Sequence, residues 1–553
     1  MKEIALKDIE IKGELAVRMA RNLARIEDEY YRPDEVFTAD QSDWPADWEG
    51  RIILALSLYR KTTGRMPAYL DEIVEKIPEH LNERGFLGRL LPAGQFAEQH
   101  MAGHSWLIRG LIEYYSITEK ESVRSLIEQV VRNFLLPVKG SYKNYHITPL
   151  EREENKTNWV LSQKQSKVAT HADTSDAGCA FIMIDGATAA YEFLGWEELH
   201  DLIEEMIERY SQMDFLGCHI QTHATLSGLR GVIRFYQLTG EKKYIELAEK
   251  MFALYKEEGW SEAYGNYNWF GVPSWTEPCA IIDSFIAAVT LWSLTKKAVY
   301  LEDGYKIFYN AIGHANRHSG SFGTDNCTGA EGAKCPTAIM PVTYDVYWCC
   351  NMRGGEALTR AAQYSFWTEG NTVYNTFYHD SSAELTLSAG RLALETRSMY
   401  PYDGKVKIDV RSTNICRRIK LCFFMPKSFS VFKSVRINGE NIKFYEENEF
   451  VCIEETLNNG DRIEIEFDQR LECKDAVHKH TIAGYHKFFY GPLLLARKKQ
   501  SADEQDCSID KYAVMKKGVF SRFTVEGSGV ELGSLYETRD MTEPDSVRQV
   551  LFR

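Results

Sequence analysis

The chain lacks four features that would each point to a particular class of protein. Its 553 residues contain no uninterrupted apolar run long enough to cross a bilayer, and residues 1–7 have no apolar signal-peptide core. Basic residues are not in excess, since the formal net charge is −14. The twelve cysteines follow no regular spacing. We therefore expect a cytoplasmic protein with reduced thiols that binds neither membranes nor nucleic acid.

The residues that are present suit a large core and a neutral ligand. Hydrophobic residues make up 44% of the chain, and its length favours two or three domains. Eleven tryptophans and thirty tyrosines fit sugar binding, in which aromatic rings stack on C–H faces, although most of these rings will lie in the core. The oligomeric state stays open, with a homodimer as one alternative.

An internal repeat occupies the first two-thirds of the chain. Residues 108–118 align without gaps on residues 229–239, with five identities. Each segment is followed by a polar turn and by apolar residues at helical spacing. Helix pairs that recur in this way predict stacked α-hairpins. In a chain of this length we expect a closed (α/α)6 toroid, with an open solenoid as the alternative.

The pattern changes near residue 370 to the alternation of apolar and polar residues that is typical of strands. The dipeptides Asn438-Gly439 and Asn459-Gly460 are the turn dipeptides expected of hairpins. We therefore predict a multidomain α + β fold, an (α/α)6 toroid of helix hairpins followed by a β-sandwich. The expected domains are the toroid over 1–370, the sandwich over 371–500 and a β-rich C-terminal extension over 501–553. The alternation across residues 4–11 is expected to add a first strand to the sandwich.

Three cysteines and a glutamate carry the strongest chemical signal. Cys349 and Cys350 are adjacent, and about seventy residues earlier stands Glu277-Pro278-Cys279. Neighbouring cysteines rarely form a comfortable disulfide, so in a reducing compartment they are better interpreted as ligands, or as a ligand and a nucleophile. Three thiols and a carboxylate suit a thiophilic metal, with zinc as the first candidate. The alternative is that the cysteines are small buried hydrophobic residues.

The order of motifs around these residues resembles glycoside hydrolase family 127 and related β-L-arabinofuranosidase-like proteins. Glu262, in Ser261-Glu262-Ala263-Tyr264, precedes Glu277 by fifteen residues, and an aromatic stretch separates the two. Turn motifs similar to those of the family's β-domains follow in the same order. They are residues 400–406, 435–439, 459–461 and 490–493. Each motif is weak alone, and the ordered series, which covers about residues 100 to 500, is fairly specific.

The resemblance implies a role for each site residue. Glu277, Cys279, Cys349 and Cys350 would bind Zn²⁺, and Cys349 would also be the nucleophile. Glu262 would be the general acid/base, unless it is a solvated glutamate at a helix end. The implied reaction is a double displacement that retains anomeric configuration, because the glycosyl group is carried on a cysteine.

Substrate-binding residues are also implied. His104 resembles a substrate-binding histidine of the family, His223 stands at a corresponding helix start in a later repeat, and Tyr264 follows the acid/base motif. A histidine at a helix start is more often a cap or a core group, so both readings stay open. Weaker candidates are His100, His171 and His219.

Two departures from the family pattern fall near the expected sugar pocket. The segment around Ile184 lacks a histidine that the family usually has, and Asn351-Met352-Arg353 follows the cysteine pair where the family favours prolines. Arg353 is a candidate contact for an acidic glycan, or a partner of Glu356. Both departures leave the metal ligands in place and put the identity of the sugar in doubt.

The expected function is therefore removal of a terminal furanosyl residue, by default β-L-arabinofuranose, from an oligosaccharide or glycoside. Two alternatives remain. A toroid of this kind also hosts carbohydrate lyases and epimerases, which need His/Tyr or paired Asp groups instead of thiols. A glycan-binding protein with a structural zinc would have four permanent ligands and no cavity beside them.

Overall fold

The structure is a computed structural model that describes residues 1–38, 44–91, 96–154, 160–161, 177–510, 515–517, 522–526, 528–537 and 546–553. Its α-helices in these residues are α1 Gly13–Ile26, α2 Pro33–Thr38, α3 Asp47–Thr63, α4 Leu70–Lys76, α5 Glu98–Thr118, α6 Glu121–Val130, α7 Pro149–Glu154, α8 Met183–Leu194, α9 Glu197–Ser211, α10 Thr222–Thr239, α11 Lys242–Glu258, α12 Pro278–Thr295, α13 Ala298–Lys306, α14 Gly313–Ala315 and α15 Cys350–Gln363. Short 3₁₀ or π segments are Leu6–Asp8, Glu29–Tyr31, Ile77–His80, Val131–Leu135, Leu136–Val138, Tyr142–Asn144, Cys179–Ile182 and Ile307–Ile312.

The strands are β1 Lys2–Glu3, β2 Ile9–Ile11, β3 Phe96–Ala97, β4 Val160–Leu161, β5 Thr324–Asp325, β6 Ala338–Ile339, β7 Pro341–Thr343, β8 Phe366–Glu369, β9 Thr372–Asn375, β10 Ser381–Leu387, β11 Gly390–Ser398, β12 Lys405–Thr413, β13 Ile419–Phe424, β14 Ser430–Ile437, β15 Glu440–Asn441, β16 Tyr445–Glu447, β17 Phe450–Glu455, β18 Arg462–Gln469, β19 Leu471–Asp475, β20 His486–Tyr490, β21 Leu493–Lys499, β22 Met515–Lys517, β23 Phe523–Val525, β24 Glu531–Ser534 and β25 Val547–Gln549.

Six buried helices form a closed ring in the part of the chain that the structure describes. Each packs against the next in the order α3, α5, α8, α10, α12 and α15, and α15 packs back against α3. The outer partners of these helices are, in the same order, α4, α6, α9, α11, α13 and α1. The ring closes, so the (α/α)6 toroid is confirmed and the open solenoid is wrong.

The internal repeat has a packing explanation. Gly110 and Gly231 occupy the same place in the two aligned segments, and each lies against the backbone of a neighbouring inner helix. A Cβ at Gly110 would lie 2.6 Å from the carbonyl oxygen of Gly50, and a Cβ at Gly231 would lie 2.5 Å from the backbone nitrogen of Asp185. Such contacts are too short for any side chain, so the repeat preserves the close approach of helix to helix.

Helix α12 corrects the expectation that no segment could cross a bilayer. Residues Pro278–Thr295 are long and apolar enough by length and composition, and 83% of this window is buried inside the protein. A helix that is apolar all round lies in the core when other helices surround it. Here α10, α11, α13 and α15 supply those contacts, so α12 is a core helix of the toroid.

Two sheets follow the toroid. The first has the order β1-β8-β9-β13-β17-β16 and the second β15-β14-β18-β12-β11-β10-β2. Tyr378 connects them, because its hydroxyl donates to the carbonyl oxygen of Phe424 in the first sheet and its ring packs on Phe467 of the second. The two N-terminal strands each join one of these sheets, so the start of the chain contributes to both.

A third sheet has the order β19-β20-β21-β24-β23-β22, and β25 joins it by pairing with β21 and with β6. It begins at Leu471, about thirty residues before the boundary expected at 500. The correction has a simple cause. Strand β19 begins at Leu471, directly after β18 ends at Gln469, so no loop marks the boundary, and hydrogen bonds to the C-terminal strands assign β21 to another sheet.

Candidate active site

Three thiols meet where two neighbouring inner helices begin. Cys279 lies in the first turn of α12, after Pro278 at the first helical position, and Cys350 is the first residue of α15 with Cys349 as its N-cap. The Sγ atom of Cys350 lies 3.7 Å from that of Cys279 and 3.3 Å from that of Cys349. All three sulfur atoms lie within 4.8 Å of one another.

The three sulfurs differ in their access to solvent. Cys279 and Cys350 are completely buried, whereas Cys349 is partly exposed. Cys349 lines a cavity of about 390 Å³, together with residues from the starts of other inner helices. The lining residues are Trp44, Asp47, Trp48, Arg51, Cys179, Ile182, Gln221, His223, Glu277, Trp348 and Cys349. The N-termini of inner helices therefore surround the cavity, and their dipoles favour a negative charge there.

Arg51 places a positive charge against the thiols. Its Nη1 atom donates to Cys279 Sγ at 3.5 Å, and its Nε atom donates to Asp47 Oδ2 at 2.8 Å. Hydrogen bonds from Cys279 and Cys350, with the charge of Arg51 as a weaker cause, lower the pKa of Cys349 to about 5. Burial raises the pKa of Cys279 to about 11. The cluster therefore favours one thiolate, on the sulfur that faces the cavity.

Glu277 is the N-cap of α12 and lies beside the thiols. Its backbone N–H donates to Asn266 Oδ1 at 2.8 Å, and its Oε1 lies 3.6 Å from His223 Nδ1. Its Oε2 is buried without a hydrogen-bond partner. Burial, and then the nearby Cys279 sulfur, raise the pKa of this carboxyl well above its ordinary value. Such a group is protonated unless a cation neutralises it.

The donors fit a metal ion. Thiolates bound at 2.3 Å to a tetrahedral zinc lie about 3.8 Å apart, close to the 3.7 Å between Cys279 and Cys350. The unpartnered Oε2 of Glu277 is a hard donor next to this set. Glu277 lies outside the group of atoms within 4.8 Å of one another. The three cysteines can hold a metal as they stand, and Glu277 is the nearby candidate for a fourth ligand.

His223 is the predicted substrate-binding residue that lines the cavity. Its Nε2 lies 3.4 Å from Asp283 Oδ2, and its ring stacks on Trp106 with 6.0 Å between the centroids. Burial lowers the pKa of His223 to about 3. The imidazole is therefore neutral at physiological pH.

Buried ion pairs lie around Asp283. Arg230 and Arg353 both bind Asp283 Oδ1, and both also pair with Glu356. Arg353 is therefore the partner of Glu356, and it is not among the residues that line the cavity. Arg109 also binds Glu356, so the arginines at equivalent places in the two aligned repeats meet on one carboxylate.

Glu262 occupies a different environment from the thiols. It is completely buried, and its carboxylate accepts from Thr481 Oγ1 at 2.7 Å and from the backbone N–H of His478 at 2.8 Å. Lys487 Nζ binds Oε2 of Glu262 and donates to its carbonyl oxygen at 2.9 Å. Burial alone would raise the pKa of Glu262, but the Lys487 ammonium outweighs it and lowers the pKa to about 2.

Glu262 is thus neither a solvated glutamate nor a residue that lines the cavity beside Cys349. It joins the loop between α11 and α12 to the third sheet. Its neighbour Tyr264 has its ring under the Lys487 ammonium, 4.8 Å from the centroid, and packs against His478. Tyr264 therefore belongs to the surroundings of Glu262 and is not among the residues that line the cavity, and its role in substrate binding stays a prediction.

His104 is also a core residue. Its Nδ1 lies 2.8 Å from the carbonyl oxygen of His100, and its ring stacks on Phe134 at 3.8 Å. Burial lowers the pKa of His104 to about 3. It is not among the residues that line the cavity, its Nε2 is buried without a hydrogen-bond partner, and its role as a sugar ligand stays a prediction. His219 binds the carbonyl oxygen of Phe270, and His171 lies outside the described residues.

The sequence motifs missed the other polar residues of the cavity, Asp47, Arg51 and Gln221. Asp47 and Arg51 are four residues apart on α3, which is the spacing of a helical ion pair. The tryptophans Trp44 and Trp48 flank the same helix start. This cluster of aromatic and charged residues at an inner helix N-terminus is the signal that could have revealed them.

Comparisons with known proteins agree with the motifs. Residues 372–469 match the family model for the GH127 middle domain of β-L-arabinofuranosidase, and this range is the sandwich that follows the toroid. No curated protein sequence matches the chain.

Solved structures extend the similarity to the whole fold. The chain is similar to a GH127 β-L-arabinofuranosidase from Geobacillus stearothermophilus T6, with a TM-score of 0.72, 11% identity, and coverage of 99% of both chains. It is similar to another GH127 β-arabinofuranosidase with a TM-score of 0.70 and 13% identity, over 100% of this chain and 97% of that one. A third structure, described as a glycoside hydrolase, has a TM-score of 0.71 and 14% identity over the same shares. The chain therefore resembles glycoside hydrolase family 127 in the sequence of its middle domain, and it shares the fold of the GH127 enzymes along its full length.

Proposed function

We propose that the protein is a zinc-dependent, retaining glycoside hydrolase that removes a terminal furanosyl residue, by default β-L-arabinofuranose, from an oligosaccharide or glycoside. One observation carries the proposal: Cys349 faces a cavity at the helix N-termini of the toroid while Cys279 and Cys350 stand behind it. The family resemblance supplies the reaction class.

Glu277, Cys279, Cys349 and Cys350 would hold the zinc. When bound, zinc supplies the positive charge that keeps thiols deprotonated at neutral pH and fixes their positions. The protein's own residues also favour a deprotonated thiol. Arg51 lies against Cys279, and hydrogen bonds from the neighbouring thiols lower the pKa of Cys349 without a metal.

Cys349 is the proposed nucleophile. Its sulfur would attack the anomeric carbon, the bond to the leaving oxygen would break, and that oxygen would take a proton from the general acid. Water would then displace the sulfur as the same group, now a base, accepts its proton. Each displacement inverts the anomeric carbon, so the released sugar keeps its original configuration.

Glu262 is the proposed acid/base, and this assignment rests on its place in the family motif. The Glu262–Lys487 ion pair sets a condition on it. A carboxylate with a pKa of about 2 holds no proton at neutral pH, so Lys487 has to release Glu262 before Glu262 can donate. Substrate binding is the event to which we assign this release.

His223 is the proposed substrate contact, because it is the neutral imidazole that lines the cavity. We also propose a reducing compartment such as the cytoplasm. Three thiols within 4.8 Å of one another would be oxidised elsewhere, and they would then no longer act as ligands.

The cavity favours the enzyme over a glycan-binding protein with a structural zinc, because a purely structural site would leave no open face beside a ligand. Hydrolysis of 4-nitrophenyl β-L-arabinofuranoside by the zinc-loaded enzyme tests the activity. Proton NMR of the first sugar released tests whether the reaction retains or inverts the anomeric configuration. Retention supports the Cys349 mechanism, and inversion excludes it.

A further inference from the structure

Exposed aromatic side chains lie beside the cavity. Trp348 is 48% exposed, Tyr347 is 36% exposed and Tyr30 is 49% exposed. The other tryptophans that the structure describes are buried or partly buried, whereas Trp348 is exposed. Exposed aromatic rings that touch one another generally mark a binding surface. We call Tyr30, Tyr347 and Trp348 the aromatic platform.

The platform is continuous with the cavity. The rings of Tyr347 and Trp348 meet edge to face with 5.1 Å between centroids, and the ring of Tyr30 lies 5.3 Å from that of Tyr347. Trp48, which lines the cavity, lies 6.0 Å from Tyr347. A ligand that reaches Cys349 from outside would therefore pass over these rings.

Asn351, directly after the cysteine pair, holds the platform in place through hydrogen bonds. Its Nδ2 donates to Asp345 Oδ1 at 2.8 Å and to Tyr31 Oη at 3.1 Å. The Tyr31 hydroxyl in turn donates to the carbonyl oxygen of Tyr347 at 2.8 Å. These bonds tie the backbone of Tyr347 to the start of α15, beside Cys349.

We propose that the aromatic platform binds the second sugar ring of the glycan, on the leaving-group side of the bond that is cleaved. This inference rests on the proposed hydrolase function, and it narrows the substrate class to glycans of at least two rings. A sugar ring fits because its C–H face covers an aromatic ring while its hydroxyl groups stay in water.

The charges nearby favour a neutral ring over an acidic one. Arg25, the cation beside the platform, lies 5.2 Å from the Tyr30 ring centroid. Its guanidinium is already bound to Asp345 at 2.9 Å and to Asp28. A carboxylated sugar would have to compete with two carboxylates for this one cation, whereas a neutral ring would leave the pairs intact.

The test compares two substrates that differ by the second ring, a β-L-arabinofuranosyl disaccharide and methyl β-L-arabinofuranoside. Tyr30→Ala is the main variant because Tyr30 is distant in sequence from the cysteines. Trp348→Ala is the second variant, and Tyr445→Ala is the control, because Tyr445 is 41% exposed on another part of the surface.

We expect Tyr30→Ala and Trp348→Ala to raise KM for the disaccharide by roughly 2- to 10-fold, which is the worth of an aromatic stacking contact. Tyr30→Ala should leave kcat, and both constants for the methyl glycoside, unchanged. Tyr445→Ala should change neither substrate. Equal changes for both substrates, or no change for the disaccharide, would overturn the proposal.

Failure of the hydrolase function can be separated from failure of the platform. If the wild-type enzyme cleaves neither substrate, the proposed function fails, and titration calorimetry of the disaccharide then decides the platform. Weaker binding by Tyr30→Ala than by wild type or Tyr445→Ala supports the platform. No binding, or equal binding by all three proteins, overturns it.

Discussion

Glu277 and Glu262 stand fifteen residues apart on one loop-and-helix segment, yet their environments are opposite. Glu277 lies among thiols with a partnerless oxygen, and the pKa of its carboxyl is raised. Glu262 lies against Lys487, and the pKa of its carboxyl is lowered. Glu277 can still accept a cation such as a metal ion, whereas Glu262 is already paired with Lys487 from the third sheet. The comparison teaches that a short motif does not determine the environment of its residues. Partners from distant segments of the chain determine whether the pKa of each carboxyl is raised or lowered.

The thiol side of this comparison should show the largest effect. Cys349→Ala removes the proposed nucleophile, so we expect turnover of the aryl arabinofuranoside to fall by about 10⁴-fold or more. Cys350→Ser should lose both turnover and zinc, which elemental analysis would measure. Cys416→Ser is the matched control, since Cys416 is exposed and distant from the cluster. Full zinc content in Cys350→Ser would contradict the ligand set.

Glu262→Gln tests whether the buried ion pair conceals an acid/base. We expect zinc content to be kept and kcat to fall by about 10²–10⁴-fold, the usual worth of general acid–base catalysis. Glu258→Gln is the control, because Glu258, four residues earlier at the end of α11, makes a similar contact with Lys479 and His480. Unchanged kcat in Glu262→Gln would reduce Glu262 to a residue that holds the third sheet.

Lys487→Met should show what the pairing contributes to stability. It leaves the Glu262 carboxylate buried without a countercharge, so we expect the free energy of unfolding to fall by about 3–5 kcal/mol. Urea denaturation measures the change. Lys474→Met, at a half-exposed lysine of β19, should cost less than about 1 kcal/mol. The double variant Glu262→Gln, Lys487→Met should be more stable than Lys487→Met, because no buried charge remains unpaired.

The pH dependence follows from the same pair and should be the smallest effect. The pKa of Glu262 is about 2 in the folded protein against an ordinary 4.5. A carboxyl with a lowered folded pKa stabilises the fold above its unfolded pKa, and this contribution is lost as the pH falls from about 4.5 towards 2. The loss should reach at most about 3 kcal/mol. Glu262→Gln should flatten the stability profile in this window, and an unchanged profile would contradict the assignment.

Much of the fold was predictable because it depends on local patterns. The glycine and arginine of the repeat, Gly110 with Arg109 and Gly231 with Arg230, predicted recurring helix pairs, and the structure gives them a packing and an ion-pair role. Alternation and Asn-Gly turns predicted the sandwich. The boundary at 471 was missed, because β19 follows β18 without a loop and only the hydrogen bonds between strands separate the two sheets.

The site was predictable only where ligands are close in sequence. Glu277 with Cys279, and Cys349 with Cys350, are short patterns with a chemical meaning. Arg51 reaches Cys279 across 228 positions, and no sequence pattern links them. The stacking of His104 on Phe134 was unpredictable for a related reason, because a histidine at a helix start looks the same in sequence whether Phe134 or a cavity faces its ring.

The bond between Lys487 and Glu262 spans 225 positions of the chain. A ribosome that adds about 5–20 residues per second makes Lys487 roughly 10–45 s after Glu262. The last toroid helix, α15, ends at Gln363, so every helix of the toroid is made before Lys487, and until then Glu262 lacks this cation as a partner. The nascent toroid must therefore keep the loop before α12 open to water, and burial of Glu262 becomes one of the last steps in the biosynthesis of the protein.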